Sequence, residues 1–152
     1  MDLAGLDLAA QDYAGAVAGY RVLVARHPES ADGHFALGHA LLRAQRFAEA
    51  QPELAKAVRT APGMTQGWSD LGFVEYKLHD YPQALAALER HGQLAGDDAA
   101  SYFLRAVCWD ELRQYKQAIE FYEKFLAADQ NRDADNVFKA RHRLITLHRM
   151  VG

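Results

Sequence analysis

Residues 68–88 read WSDLGFVEYKLHDYPQALAAL, and this stretch decides the fold. Trp68 and Gly72 are four residues apart, which places them on one face of a helix. Pro82 suits the first turn of a second helix, because no helical hydrogen bond is lost there. Ala84 then begins the apolar face of that second helix. The stretch therefore predicts a leading helix, a tight turn and a following helix.

The same pattern recurs every 34 residues along the chain. Three kinds of residue recur at equivalent positions in all four copies: an alanine, an aromatic residue three positions before it and a bulky residue four positions after it. We call each set of equivalent positions a column. The members of the three columns are Ala16, Ala50, Ala84 and Ala118; Tyr13, Phe47, Tyr81 and Tyr115; and Tyr20, Leu54, Leu88 and Tyr122. A period of this length indicates stacked helix pairs that bury a shared core. The small side chains of the alanine column allow two helix backbones to approach closely.

The overall composition sets limits on the kind of protein. The chain has 152 residues, 50% of them hydrophobic, and a net charge of −3, which suits one folded domain and disfavours a general nucleic-acid binder. No apolar run is long enough to enter a membrane as a spanning helix. The start of the chain lacks the positive charge of a signal peptide, so we expect a cytoplasmic protein. A periplasmic or exported protein is the alternative if a signal segment was removed.

The repeated residues resemble the tetratricopeptide repeat (TPR) over about residues 2–132. The resemblance rests on Trp68-x-x-Leu71-Gly72 followed by Tyr81-x-x-Ala84-x-x-x-Leu88, and on Gly38 followed by Phe47-x-x-Ala50-x-x-x-Leu54. It implies an all-α fold, a right-handed α-solenoid of antiparallel helix pairs, in a single domain of residues 1–152. The implied repeat units are 1–30, which is truncated, then 31–64, 65–98 and 99–132.

Some residues depart from the family pattern, among them Gly96 and Gln130, which stand where a proline might have closed the copy. Arg105 stands where a leucine is usual, which suggests a local adjustment of that helix face. Pro52 lies near the beginning of a following helix, where it costs little only if it falls in the first turn.

Residues 133–151 predict a C-terminal capping helix. Asp133 and Asp135 suit its N-terminus. An apolar seam recurs at helical spacing and consists of Val137, Ala140, Leu144, Leu147 and Val151. Such a helix would cover the open face of the last repeat, as solenoids require. The alternative is a basic helix that docks on an acidic partner or a membrane surface, since Lys139, Arg141, Arg143 and Arg149 lie on its other faces.

The chain offers no pattern for catalysis, a cofactor or a metal. The histidines lack the spacing of paired zinc ligands, and Cys108 is interpreted as a buried packing residue. The adjacent carboxylates Asp97-Asp98 fall at a repeat junction and predict a cap for a helix that begins near Ala99. Asp110-Glu111 lie on a helix, where neighbouring residues point in different directions. We therefore expect a protein that is not an enzyme.

The family resemblance implies that the leading helices line a concave groove for a partner peptide or helix. The candidate groove residues are Phe35, His39, Leu42, Arg43, Ser69, Phe73, Tyr76, Lys77, Phe103, Val107 and Asp110. Several of them are large and apolar, as contact sites often are. Some of these aromatic side chains could instead pack between helices or beneath the terminal helix.

The expected partner is another protein. Family members that hold an acidic chaperone tail use Lys, Asn and Arg at groove positions that are Phe35, His39, Asp70, Ala100 and Leu104 in this chain. That set is absent, so apolar or mixed peptide recognition is the prediction. Self-association into homo-oligomers, or a role as the interaction domain of a larger protein, is the alternative function.

Overall fold

The protein is described by a computed structural model over residues 3–152, with side chains from Asp12 onward. This part of the chain forms helices only, and the all-α fold class is confirmed. The helices are α1 Leu3–Arg26, α2 Ala31–Arg43, α3 Phe47–Thr60, α4 Thr65–Lys77, α5 Tyr81–Ala95, α6 Ala99–Glu111, α7 Tyr115–Asp129 and α8 Ala134–Val151. The side chains at the predicted beginning of the first repeat, residues 1–11, lie outside the described residues.

The chain divides into two compact units, Met1–Leu78 and His79–Gly152. In the first unit, α2 packs between α1 and α3, and α4 packs on α3 and α2. In the second unit, α6 packs between α5 and α7, and α8 packs on α7. Consecutive helices are joined by short turns, so α2–α3 and α6–α7 are antiparallel pairs. None of the described helices is both long and apolar enough to cross a membrane.

The turn inside a repeat has the same backbone geometry in three copies. Gln45, His79 and Arg113, spaced 34 residues apart, have φ angles of 61°, 62° and 60°. A left-handed conformation costs a non-glycine residue about 1–2 kcal/mol. At Gln45 and Arg113 the packing of α2 on α3 and of α6 on α7 offsets that cost. The first copy differs from the expected helix pair. There α1 continues through Gln11, the equivalent turn position, as one helix.

The small-residue columns lie where two helices approach most closely. Ala50 and Ala118 have no exposed surface, and neither does Leu54. A Cβ atom added to Gly38 on α2 would lie 2.7 Å from Cγ of Leu54 and 3.2 Å from the Leu54 backbone nitrogen on α3. The close contact inside a helix pair therefore depends on the absence of a side chain at residue 38.

Aromatic side chains fill the core of the second unit, and Arg105 adapts to them. Phe121 and Phe125 are buried there, together with apolar residues of α8. The Arg105 guanidinium lies 4.5 Å from the centre of the Phe121 ring, and its Nη1 donates to Oδ1 of Asp97 at 3.0 Å. The arginine thus keeps its charge paired while its flat group covers an aromatic face.

The predicted helix caps are present. The carboxylate of Asp98 accepts a hydrogen bond from the Ser101 amide at the beginning of α6. Asp133 accepts one from the Asn136 amide at the beginning of α8. Each bond satisfies an amide that has no partner within its helix.

Two sequence-based expectations about individual residues need correction. The seam of α8 is buried at Val137, Ala140, Leu144 and Leu147, but Val151 is 39% exposed because it is the last helical residue. Pro52 lies beyond the first turn of α3, so it does not meet the condition under which it costs little. The amide hydrogen bond to the Ala48 carbonyl is missing there.

The close approach at Gly38 predicts a change in stability. Gly38→Ala should lower the free energy of unfolding by about 1–3 kcal/mol, because Leu54 and its backbone cannot retreat from the new methyl group. Gly15→Ala is the matched control, since a Cβ there would meet nothing within 4 Å. It should raise stability by up to about 1 kcal/mol through helix propensity. Urea unfolding measures both, and a stabilised Gly38→Ala variant would contradict the packing described.

Cys108 is a buried packing residue, as expected from the sequence. It has no exposed surface. Burial raises the pKa of its thiol from 9.0 to about 12, and the nearby Glu111 carboxylate adds to the effect. The thiolate, which is the reactive form, is therefore scarce at neutral pH.

This burial predicts slow chemical labelling of the folded protein. At pH 8 only about one thiol in 10⁴ is ionised at the raised pKa, so a maleimide should react with Cys108 only after denaturant unfolds the chain. The pKa is higher in the folded than in the unfolded state. The stability gained from the neutral thiol is therefore complete below pH 9 and declines as the pH rises further. Equal labelling rates for the folded and the unfolded protein would contradict the burial of Cys108.

Candidate functional site

Eight of the predicted groove residues lie on two neighbouring leading helices of the first unit. We call this surface the α2–α4 face. It consists of Phe35, His39, Leu42 and Arg43 on α2 and Ser69, Phe73, Tyr76 and Lys77 on α4. Arg43 and Lys77 are exposed, and the other six are half-buried. The two helices contact each other directly.

A cavity of about 410 Å³ lies at one end of the α2–α4 face. We call it the aromatic cavity; its lining residues are Leu42, Arg43, Gln45, Phe47, Phe73 and Lys77. The rings of Phe47 and Phe73 meet edge to face, with their centres 6.2 Å apart. Four of the lining residues were predicted. Phe47 was not among the predicted residues because the repeat register gave the aromatic column a packing role, and Gln45 was not because it lies in the turn between α2 and α3.

Two cations border the aromatic cavity. Nζ of Lys77 lies 5.6 Å from the centre of the Phe73 ring and 5.9 Å from that of Tyr76. Arg43 donates through Nε and Nη2 to the hydroxyl of Tyr13, at 3.1 and 3.0 Å. Among the described side chains, no carboxylate forms an ion pair with either cation.

A buried carboxylate orients the histidine of the α2–α4 face. Nδ1 of His39 is 2.7 Å from Oδ2 of Asp70, and Nε2 of Gln66 donates to the other carboxylate oxygen at 2.8 Å. Asp70 is buried, whereas the His39 side chain is 45% exposed. The Phe35 ring lies beside the imidazole, with ring centres 5.7 Å apart. The imidazole is thus held in place with part of its surface open to solvent.

The other three predicted groove residues, on α6 of the second unit, make contacts with α7 and α8. Phe103 meets the rings of Tyr122 and Phe125, at centre distances of 6.0 and 5.0 Å. Val107 packs against the core of the unit. Asp110 accepts bonds from the Tyr122 hydroxyl at 3.2 Å and from Nε and Nη2 of Arg143 at 2.7 and 2.8 Å.

The network around Asp110 joins three helices and alters two pKa values. Burial and the neighbouring carboxylate raise the pKa of the Tyr122 hydroxyl. The hydrogen bond to Asp110 raises the pKa of Arg143, so the guanidinium stays charged. The carboxylate of Asp110 is therefore bound within the protein, and the sequence pattern gave no sign of that partner.

His34 has a structural role. His34 is buried, with Nδ1 2.6 Å from Oε2 of Glu53 and Nε2 2.6 Å from the Pro28 carbonyl oxygen. Within the part of the chain whose side chains are described, no three His, Cys, Asp or Glu residues are placed to hold a metal ion.

Comparison with solved structures identifies the same fold in other proteins. A MamA structure (MSR-1) superposes with a TM-score of 0.79 at 17% identity, covering 94% of this chain and 79% of that one. TTC0263, a TPR protein of Thermus thermophilus, gives 0.67 at 22% identity, with coverages of 94% and 78%. YrrB, described as a TPR protein with an unusual peptide-binding site, gives 0.66 at 15% identity, with coverages of 80% and 62%. At these identities the likeness shows the fold alone.

Comparison at the level of sequence gives a family. No curated protein matches the chain. The tetratricopeptide repeat family model matches residues 1–65 and 70–133, which is most of the chain and agrees with the 34-residue columns. Domains of this type are generally protein-interaction modules and are typically not catalytic. This chain belongs to the tetratricopeptide repeat family.

Proposed function

We propose that the chain is a non-catalytic scaffold that binds a peptide or helix of another protein on the α2–α4 face. The observation that carries this proposal is the aromatic cavity with two cations beside it that have no carboxylate partner among the described side chains. Aromatic and arginine side chains are the groups that contribute most often to binding energy in protein interfaces.

The residues around the cavity favour a ligand that is partly apolar and partly acidic. An apolar side chain of the partner would displace water from the cavity beside Phe47 and Phe73 and bury its own surface there. A carboxylate next to it would be bound by the guanidinium of Arg43 and the ammonium of Lys77, since charge-assisted hydrogen bonds are the stronger ones. The proposed ligand is therefore a segment with an acidic residue beside an aromatic or aliphatic one.

His39 and Phe35 extend the proposed surface away from the aromatic cavity. Because Asp70 fixes the imidazole, His39 can contact a partner without first losing much side-chain freedom. Ser69 and Tyr76 lie on the same face and would add polar contacts to the partner. On the second unit, Phe103, Val107 and Asp110 remain candidates for a further contact, although the charge of Asp110 is already paired with Arg143.

A displayed library of random peptides tests the proposal even though the partner is unidentified. Selected peptides should share an acidic residue next to an apolar one. The double variant Phe73→Ala/Lys77→Ala should weaken their binding at least about tenfold, or 1.4 kcal/mol. Raising the salt concentration should also weaken binding, because the two cations are at the surface.

Lys56→Ala is the matched control, because Lys56 is an exposed lysine on α3 outside the proposed surface. Its peptide affinity should equal that of the unchanged chain, and circular dichroism should show equal helix content in all variants. The proposal fails if the selected peptides carry no acidic residue, or if the double variant binds them as tightly as before.

A further inference from the structure

Exposed apolar side chains are concentrated on the two terminal helices. Of the nine large hydrophobic residues that are exposed in the described part of the chain, seven lie on α1 or α8. They are Tyr20, Val22, Leu23, Phe138, Ile145, Met150 and Val151. Phe138 is 72% exposed and Ile145 is 57% exposed. Clusters of this kind mark contact surfaces more often than isolated apolar residues do.

Helix α1 is a following helix that packs on α2, the leading helix of the next repeat, and among the described residues no leading helix of its own repeat covers its other side. Its positions Ala16, Tyr20 and Leu23 fall in the columns that are buried in complete helix pairs. Those columns are Ala50, Leu54 and Ala57 in α3, and Ala118, Tyr122 and Phe125 in α7. In α1 two of these columns are exposed, with Tyr20 36% and Leu23 42% exposed, whereas Ala16 is half-buried.

Helix α8 is a leading helix with no following helix packed against it among the described residues. One side of α8 packs on α7 through its buried seam, and Arg143 extends to Asp110 on α6. On the opposite side, Phe138 stacks with His142 at a ring-centre distance of 6.1 Å. A cavity of about 440 Å³ there is lined by Phe138, Arg141 and Ile145, among others. In α2 and α6, by contrast, both sides are covered by neighbouring helices.

We propose that α8 of one molecule docks on α1 of a second copy, so that the two helices complete a repeat. In this contact α8 serves as a leading helix for α1, and α1 serves as a following helix for α8. Phe138 and Ile145 would lie over the small residues of α1, where a Cβ added to Gly19 would meet nothing within 4 Å. Bulky side chains over small ones are the same arrangement that packs Leu54 against Gly38.

Charge also favours a second copy as the occupant. In the antiparallel arrangement of a repeat, the first turn of α8 lies beside the last turn of α1. Asp135 would then approach Arg26 of the other copy, and Arg149 would approach Asp12. Opposite charges would then meet at both ends of the contact.

The proposed contact joins different surfaces of the two copies, so each added copy leaves one end free. Association of this kind continues into longer assemblies unless the geometry closes a ring. A contact made by a single helix pair is smaller than the roughly 1,200–2,000 Å² of a stable interface. We therefore expect reversible association at high protein concentration.

Sedimentation velocity over a concentration series tests the proposal. The average mass should rise from the 17.0 kDa of one chain and continue past the dimer. Leu23→Glu blocks the α1 surface and Ile145→Glu blocks the α8 surface, so each variant alone should remain a monomer. Both residues are exposed, so each variant should keep its helix content and unfolding temperature. A mixture of the two variants keeps one intact contact and should stop at the dimer.

Leu94→Glu is the matched control, because Leu94 is an exposed leucine on α5, and it should associate like the unchanged chain. A chain that stays monomeric at every concentration would overturn the proposal. So would a Leu23→Glu variant that still forms dimers, which would indicate contact between two α8 helices, or a mixture that stays monomeric. Phe73→Ala/Lys77→Ala should associate normally, so peptide binding and self-association are tested separately.

Discussion

The close contact between the two helices of a repeat is the constraint on which the rest of the structure depends. Gly38 lies so near Leu54 that no side chain fits between the two backbones, and Ala50 and Ala118 are fully buried at the same kind of contact. One face of each helix is committed to this packing. The sides of the leading helices that this packing leaves uncovered remain for other contacts, and the α2–α4 face is formed from them.

Polar contacts fix how neighbouring helices are turned toward each other. His34 is held between Glu53 and the Pro28 carbonyl, His39 is held by Asp70, and Asp110 binds Tyr122 and Arg143. Buried polar groups of this kind are expensive to leave unpaired, so they favour one arrangement of the helices. The same contacts decide which charges remain open to a partner: Asp110 is already paired, whereas Arg43 and Lys77 have no carboxylate among the described side chains.

Much of the fold could be predicted from the sequence, because the 34-residue columns report which residues face a neighbouring helix. The helix order, the cap at Asp98 and the buried state of Cys108 follow from local patterns. It could not be predicted that α1 is one continuous helix, since a turn at Gln11 would depend on a leading helix packing against the following one. The partners of Asp110 and the place of Phe47 in the aromatic cavity were also out of reach, because both depend on how separate helices are rotated in space.

Hydrogen exchange of the backbone amides tests most directly the claim that packing on both sides stabilises each helix. In dilute solution, amides in α1 and α8 should exchange at least about tenfold faster than those in α3 and α7, a difference of 1.4 kcal/mol in opening free energy. At high concentration the two terminal helices should become more protected as copies associate. Equal protection of α1, α3, α7 and α8 in dilute solution would contradict the account.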